Sequence, residues 1–220
     1  MGAAYGFRKA SDLPEIIPVF PLTGALLLPG GRLPLNIFEP RYLNMIDDAL
    51  GGKRLIGMVQ ATPGRDAATP GLAPVGCVGR LTSFSETNDG RYLITLTGVC
   101  RFGVEQEPSV DTPYRQVLAD FERYEHDLRD IDPDIGLDRD AFEQVLRAYF
   151  EAQDLAADWE SIKSAPGEVL INSLAMICPF SSSEKQALLE AETLADRREA
   201  LYALLLMGAA DAGDDDPTVQ

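Results

Sequence analysis

A chain of 220 residues, 45% of them hydrophobic, buries roughly 70% of its unfolded surface on folding, so its core needs neither a structural metal nor a disulfide framework. Its 35 Asp+Glu against 19 Lys+Arg give a formal charge of −16; ten of each sign fall in residues 1–110, which leaves 25 acidic against nine basic in 111–220. A field of that sign repels phosphate backbones and anionic lipid, which argues against nucleic acid and membrane as partners.

The opening residues contain no apolar run of signal-peptide length, and no later stretch approaches a membrane span. Cys77, Cys100 and Cys178 are odd in number and lack a C-x-x-C spacing. They read as reduced, buried thiols in a cytosolic compartment.

From Ile16 to about Tyr124 the pattern is of short β-type runs broken by Gly and Pro. IIPVFPL and ALLLPG come first, then RLPLNIF, in which Leu33, Leu35 and Ile37 alternate with Arg32, Pro34 and Asn36 at the period of a half-buried strand. Prolines at 14, 18, 21, 29 and 34 cannot donate to a ladder, which favours short, edge-like strands and a small irregular barrel. Pro40 opens a helix with Tyr42, Met45, Ile46 and Leu50 on one face, and Gly51-Gly52 ends it. LIGMVQ is a buried strand and Ala61 to Ala73 an exposed loop. VGCVGRLTSFSE and RYLITLTGVCRFGVE flank Thr87-Asn88-Asp89-Gly90, and the Asp-Gly pair predicts a hairpin with a type I′ turn. RQVLADFERY supplies a further strand.

An acidic linker without periodicity spans 125–137, and helices follow it. Phe142, Val145, Leu146 and Tyr149 form the apolar stripe of the first, and Val169, Leu170, Leu174 and Ile177 that of the second, which Pro179 stops. Ser181 with Glu184 makes a capping box for the third, containing Ala187, Leu188 and Leu189. The last runs from about Ala195 to Met207, with Leu201, Leu204 and Leu205 inward. The charge split and the change of period give a flexible N-terminus at 1–13, a β-rich module at 14–124, an α-helical bundle at 138–208 and a disordered acidic tail at 209–220.

Three separated blocks, IPVFPLTGALLLPGGRLPLNIFEPRYLNMI, VGCVGRLTSFSETNDGRYLITLTGVCRF and SSSEKQALLEAETLADRREALYALL, resemble in order the amino-terminal substrate-recognition domain of Lon proteases and its stand-alone bacterial relatives, over about residues 14–208. The resemblance implies an α+β fold: a PUA-like small β-barrel followed by a C-terminal α-helical bundle. It also implies a non-catalytic role in protein quality control, with protein or unfolded peptide as the partner. The ATPase and Ser-Lys protease modules of Lon are not implied, and no G-x-x-x-x-G-K-[ST] occurs. A second function, small-ligand sensing in the cleft between barrel and bundle, follows from the two-module layout alone. No cofactor is expected.

Few residues suggest chemistry. Ser182-x-x-Lys185 has the spacing of an acyl-enzyme pair, but it lies in a helix start with its cap, and a cap is the expected role. Asp130, Asp132 and Asp134 match the first ligands of a calcium loop, yet Ile135 and Ala141 stand where Gly and Glu are required. The single histidine, His126, excludes His-based triads and multi-histidine zinc sites, and it reads as an exposed linker residue. Asp47 and Asp48 are adjacent on a helix and point about 100° apart, so they cannot act on one atom. The remaining candidates form a peptide-binding surface: Glu39 and Arg41 as a charged rim, Phe38 and Tyr42 as aromatic anchors, and Leu26 and Leu28 as a patch on one face of a strand. Against this stands a structural reading, in which the charges fix the strand-to-helix corner and the aromatics fill core.

Overall fold

The computed structural model describes residues 6–66, 69–129 and 136–211. Strands β1 (Ile16–Pro21) and β2 (Arg32–Ile37) precede helix α1 (Pro40–Gly51). β3 (Leu55–Asp66), β4 (Thr69–Glu86), β5 (Tyr92–Gln106) and β6 (Gln116–Asp120) follow, and then α2 (Arg139–Ala152), α3 (Trp159–Ser164), α4 (Gly167–Ile177), α5 (Ser182–Glu190) and α6 (Leu194–Asp211). The class is α+β, strands first.

The strands pair in the order β2-β5-β4-β3-β1-β6, and β6 also pairs with β5. The length of β5 makes this possible. One of its edges carries β4; the other carries β2 along Tyr92–Thr97 and then β6 along Gly103–Gln106. The circuit β5-β4-β3-β1-β6 therefore returns to β5, and β2 keeps a strand partner on one side only. Phe102, fully buried, fills the space beside Gly57 and Gly76, where a Cβ on Gly76 would come within 2.6 Å of its ring.

Several expectations change. The loop expected at Ala61 to Ala73 is mostly ladder: β3 and β4 continue with Ala61 opposite Leu72 and Thr62 opposite Gly71, after a register shift. Main-chain pairing does not require apolar side chains, so strands that outrun the core look like loop in sequence. The turn between β4 and β5 is not type I′. Only Gly90 has a positive φ there (78°), whereas type I′ needs it at both central residues. Thr87 N–H instead donates to Arg91 O at 2.9 Å, closing a longer loop.

Leu26, Leu27 and Leu28 form no strand and present no exposed face; all three are buried. Their segment touches β5 through a bridge between Pro29 and Gly98, and Asn172 of α4 donates to Pro29 O at 3.1 Å from the opposite side. Gly98 permits the approach, since a Cβ there would lie 2.0 Å from Leu28 O. Gly98→Ala is accordingly expected to lower stability by about 1–3 kcal/mol through overpacking against backbone. An unchanged urea midpoint would contradict that close approach.

In the helical half the stripes of α2 and α4 face inward, except that Ile177 at the end of α4 is 68% exposed. Helix α3 has no counterpart in the sequence reading; six residues carry too little periodicity to show. Asp158 caps it, accepting from Ser161 N–H at 3.1 Å. The capping box at Ser181 is formed as expected. Helix α6 extends to Asp211, beyond the boundary read at 208, and residues 212–220 of the expected tail lie outside the described residues. At the other end Leu13 is buried and Ala10–Asp12 form a 3₁₀ turn.

The stretch read as a linker starts inside packed structure. Residues Glu122–Leu128 are 3₁₀-helical with Tyr124 and Leu128 buried, and Asp127 forms an ion pair with Arg101 of β5 at 2.8 Å, their side chains 6% and 1% exposed. Arg101 also donates through Nη1 to the carbonyls of Leu189 (3.1 Å) and Ala191, and through Nη2 to Asp127 Oδ1 at 2.9 Å. Its Nη2 lies 3.0 Å from His126 Nε2, so His126 belongs to this junction. One guanidinium thus ties β5, the 3₁₀ segment and the C-terminal end of α5 together, where carbonyls favour a cation. Arg197 of α6, equally buried, donates to Leu188 O and Asn172 Oδ1, both at 2.9 Å. Burial, with the neighbouring Arg101 charge, pulls its pKa down to about 10.

Candidate functional site

The corner between β2 and α1 is where the sequence placed its polar and aromatic candidates, and the structure divides them. Phe38 is 64% exposed. Glu39 and Arg41 pair with each other at 2.8 Å, both about half exposed, and the Arg41 guanidinium lies 4.6 Å over the Tyr42 ring. Tyr42 itself is 7% exposed and packs on Phe20 at 4.2 Å between centroids. Thus Phe38, Glu39 and Arg41 face solvent, whereas Tyr42, Leu26 and Leu28 belong to the core.

Two further apolar side chains lie at the same end of the sheet. Leu93 pairs across the ladder with Asn36 of β2 and Ser85 of β4, two residues before Phe38 on β2, and it is 47% exposed. Phe84, 40% exposed, contacts Tyr92 edge-on at 4.9 Å. Leu93 was visible to parity: Tyr92, Ile94 and Leu96 point to one face, so Leu93 must point to the other. Phe38 and Leu93 give one face of this end two large exposed apolar groups, a surface suited to apolar partner side chains, while Phe84, opposite Ile94 and against Tyr92, lies on the other face.

The chemistry-bearing candidates among the described residues are engaged structurally, Ser182 through its main chain. Lys185 Nζ donates to Gly24 O at 3.1 Å, and the Ser182 carbonyl accepts from Gln60 Nε2 at 2.8 Å, so the Ser-x-x-Lys spacing serves to dock α5 on the β module. Asp47 accepts from Tyr92 Oη at 3.1 Å and Asp48 from Tyr114 Oη at 2.7 Å; the two carboxylates work separately. Burial raises the pKa of all three cysteine thiols, that of Cys178 to about 12, which keeps them protonated and poor nucleophiles. Among the described residues no cluster of His, Cys, Asp and Glu is arranged to hold a metal. Asp130, Asp132 and Asp134 lie outside the described residues.

Hollows in the described surface include three that are each lined from within one module. One of about 630 Å³ lies among α2, α3 and α4, lined by Phe142, Glu143, Arg147 and Ile162. Another of about 420 Å³ lies between α2 and α6, lined by Ala141, Phe142, Tyr202 and Leu206. The third, of about 530 Å³, is in the β module beside Lys53, Arg54 and Arg80. Where the modules meet they interlock: Gly31 abuts Met176 so closely that a Cβ would overlap its sulfur.

Residues 16–206 match the family described as the ATP-dependent protease La (LON) substrate-binding domain. Lon protease of Parabacteroides distasonis is 30% identical over 209 residues, which cover 92% of this chain and 24% of that protein. Lon protease of Syntrophus aciditrophicus is 28% identical over 210 residues, covering 90% and 25%. The chain therefore spans about a quarter of the length of these curated relatives. A Lon N-terminal domain protein from Xanthomonas campestris superposes with a TM-score of 0.59 at 26% identity, over 86% of this chain and 97% of that one. The N-terminal domain of Mycobacterium avium complex Lon protease shares the fold, with a TM-score of 0.61 at 15% identity over 89% and 98%. The matched region, its order of elements and these superpositions agree: the chain belongs to the LON substrate-binding domain family.

Proposed function

We propose that this chain is a non-catalytic module that binds unfolded protein or peptide in protein quality control, through the exposed apolar end of the β2-β5-β4 sheet. The observation that carries the reading is Phe38, a large aromatic group 64% exposed at a corner otherwise tied down by Glu39, Arg41 and Tyr42. A rigid aromatic on a fixed corner loses little entropy on binding and gains the full transfer term when covered. Leu93, on the same sheet face, extends the apolar area. The engagement of the Lys185, Asp47 and Asp48 side chains in structural bonds supports the absence of catalysis, and three free, buried thiols suit a reducing cytosol. The PUA-like barrel is part of the same proposal, supported by the strand circuit that returns to β5.

The test is the anisotropy of fluorescent, reduced and carboxymethylated α-lactalbumin titrated with wild type and with a Phe38→Ser, Leu93→Ser variant. Covering these side chains is worth on the order of 1.5–3 kcal/mol each when complete, so even partial coverage predicts at least about tenfold weaker binding by the variant. Its melting temperature should stay close to that of wild type. Equal affinities, or no binding by wild type, would end this reading.

A further inference from the structure

The free edge of β2 has a defined hydrogen-bonding pattern. Gly98 N–H donates to Gly31 O at 2.9 Å, and the register then runs without a break from Arg32 opposite Thr97 to Ile37 opposite Tyr92. Hydrogen-bonded and non-bonded pairs alternate in an antiparallel ladder, so Leu33, Leu35 and Ile37 bond to β5. Arg32, Pro34 and Asn36 turn their main-chain groups outward. Pro34 fits this parity, since its missing N–H costs the ladder nothing on the outer side. The outer edge therefore offers the N–H groups of Arg32 and Asn36 and the carbonyls of Arg32, Pro34 and Asn36. No turn, cap or side-chain hydrogen bond among the described residues reaches them, and the side chains at all three positions are exposed.

Exposed apolar groups stand at both ends of this edge. Phe38 follows its last residue. At its beginning Met176 packs on Gly31, and the next residue of α4, Ile177, is exposed. Leu93, opposite Asn36, projects on the same sheet face as Arg32, Pro34 and Asn36. An open row of donors and acceptors about 20 Å long, for six residues at ~3.3 Å each, flanked by apolar side chains, is complementary to an extended polypeptide. Folded proteins cover or blunt their strand edges, so the segments that present a matching edge are those of unfolded chains. A second copy of this chain is a poorer match, because antiparallel pairing of two β2 edges sets Pro34 against Pro34, which removes the central pair of hydrogen bonds, and brings together two chains of −16.

We propose that an unfolded polypeptide segment binds by adding a strand to the outer edge of β2, main chain to main chain, with its alternate apolar side chains on Phe38 and Leu93. This rests on the peptide-binding reading above and specifies how the peptide is held. Strand addition supplies affinity through the backbone and so tolerates many sequences.

The test uses a fluorescent twelve-residue peptide of alternating Val and Thr, and the same peptide with N-methyl groups on alternate residues in each of the two phases. Binding that falls at least tenfold for one phase and is kept by the other supports strand addition. On the protein, Asn36→Pro removes one outward N–H and leaves the β5 ladder intact, whereas Asn36→Ala keeps it; at least a tenfold loss for Asn36→Pro alone is expected. If Asn36→Pro fails to fold, the methylated peptides decide. Equal binding of both methylated peptides and the parent overturns strand addition, as does binding that scales with dimerisation of the protein. If Phe38→Ser weakens binding while methylation does not, the apolar surface stands and strand addition falls; if neither matters, both fall.

Discussion

Asp127→Ala is expected to destabilise the fold by about 3–5 kcal/mol, the usual consequence of stripping one partner from a buried ion pair. Asp127 is the carboxylate that Arg101 grips with two nitrogens, Nε and Nη2, at 2.8 and 2.9 Å. Without it Arg101 keeps carbonyls and His126 Nε2 but no carboxylate, in a site whose other buried guanidinium, Arg197, carries the same charge. The loss should spread to the junction, because the same arginine holds the end of α5. Urea denaturation followed separately by far-UV circular dichroism and tyrosine fluorescence would show a lower midpoint in both signals. Replacing both residues, Arg101→Met with Asp127→Leu, should recover much of the loss, since it removes the stranded charge as well as the bond. A loss under about 1 kcal/mol for Asp127→Ala would mean that this pair does not hold the modules together.

Alkali is expected to unfold the chain steeply above about pH 9. Burial raises the pKa of Cys77, Cys100 and Cys178 from 9.0 in the folded state. The sign follows from proton counts: above pH 9 the unfolded chain releases protons that the folded chain retains, so stability falls as pH rises until each folded pKa is passed. Each thiol subtracts about 1.4 kcal/mol per pH unit in that window, and three together about 4 kcal/mol. Arg197 acts the other way above pH 10, because its folded pKa is depressed and its deprotonation relieves the folded state. Tyr42, Tyr114, Tyr124 and Tyr149, raised mainly by burial, reinforce the thiols there. Below about pH 8 none of these groups contributes a slope. Urea midpoints at pH 8, 9.5 and 10.5 check this; a flat series would place the thiols in solvent contact.

What was readable in the sequence follows from the range of the interactions involved. The α1 stripe of Tyr42, Met45 and Ile46, the strand alternation of β2 and the capping box at Ser181 depend on residues within a few positions of one another. The junction does not. Arg101 is a charge at the end of an apolar run, but its partner lies 26 residues on and its carbonyl acceptors about 90 residues on, and no local rule pairs them. Leu26 to Leu28 failed for a related reason: three apolar residues in a row are compatible with a strand, with an exposed patch, or with a segment clamped between a sheet and α4. Burial alone distinguishes these. Of the proposed surface, Phe38 could be named, and the parity of Leu93 was available, but their proximity depends on the β2–β5 register. Pro34 signalled an edge strand, yet only the pairing order tells which edge is free.

The most direct measurement places a photoactivatable benzoylphenylalanine at position 38 and, in a second protein, at position 155, where Leu155 is also exposed but lies in the helical half. Each is irradiated with reduced, carboxymethylated α-lactalbumin. Adducts at position 38, with few or none at position 155, are the predicted result. Equal yields at the two positions, or none at position 38, would contradict recognition of unfolded protein by the apolar end of the β2-β5-β4 sheet.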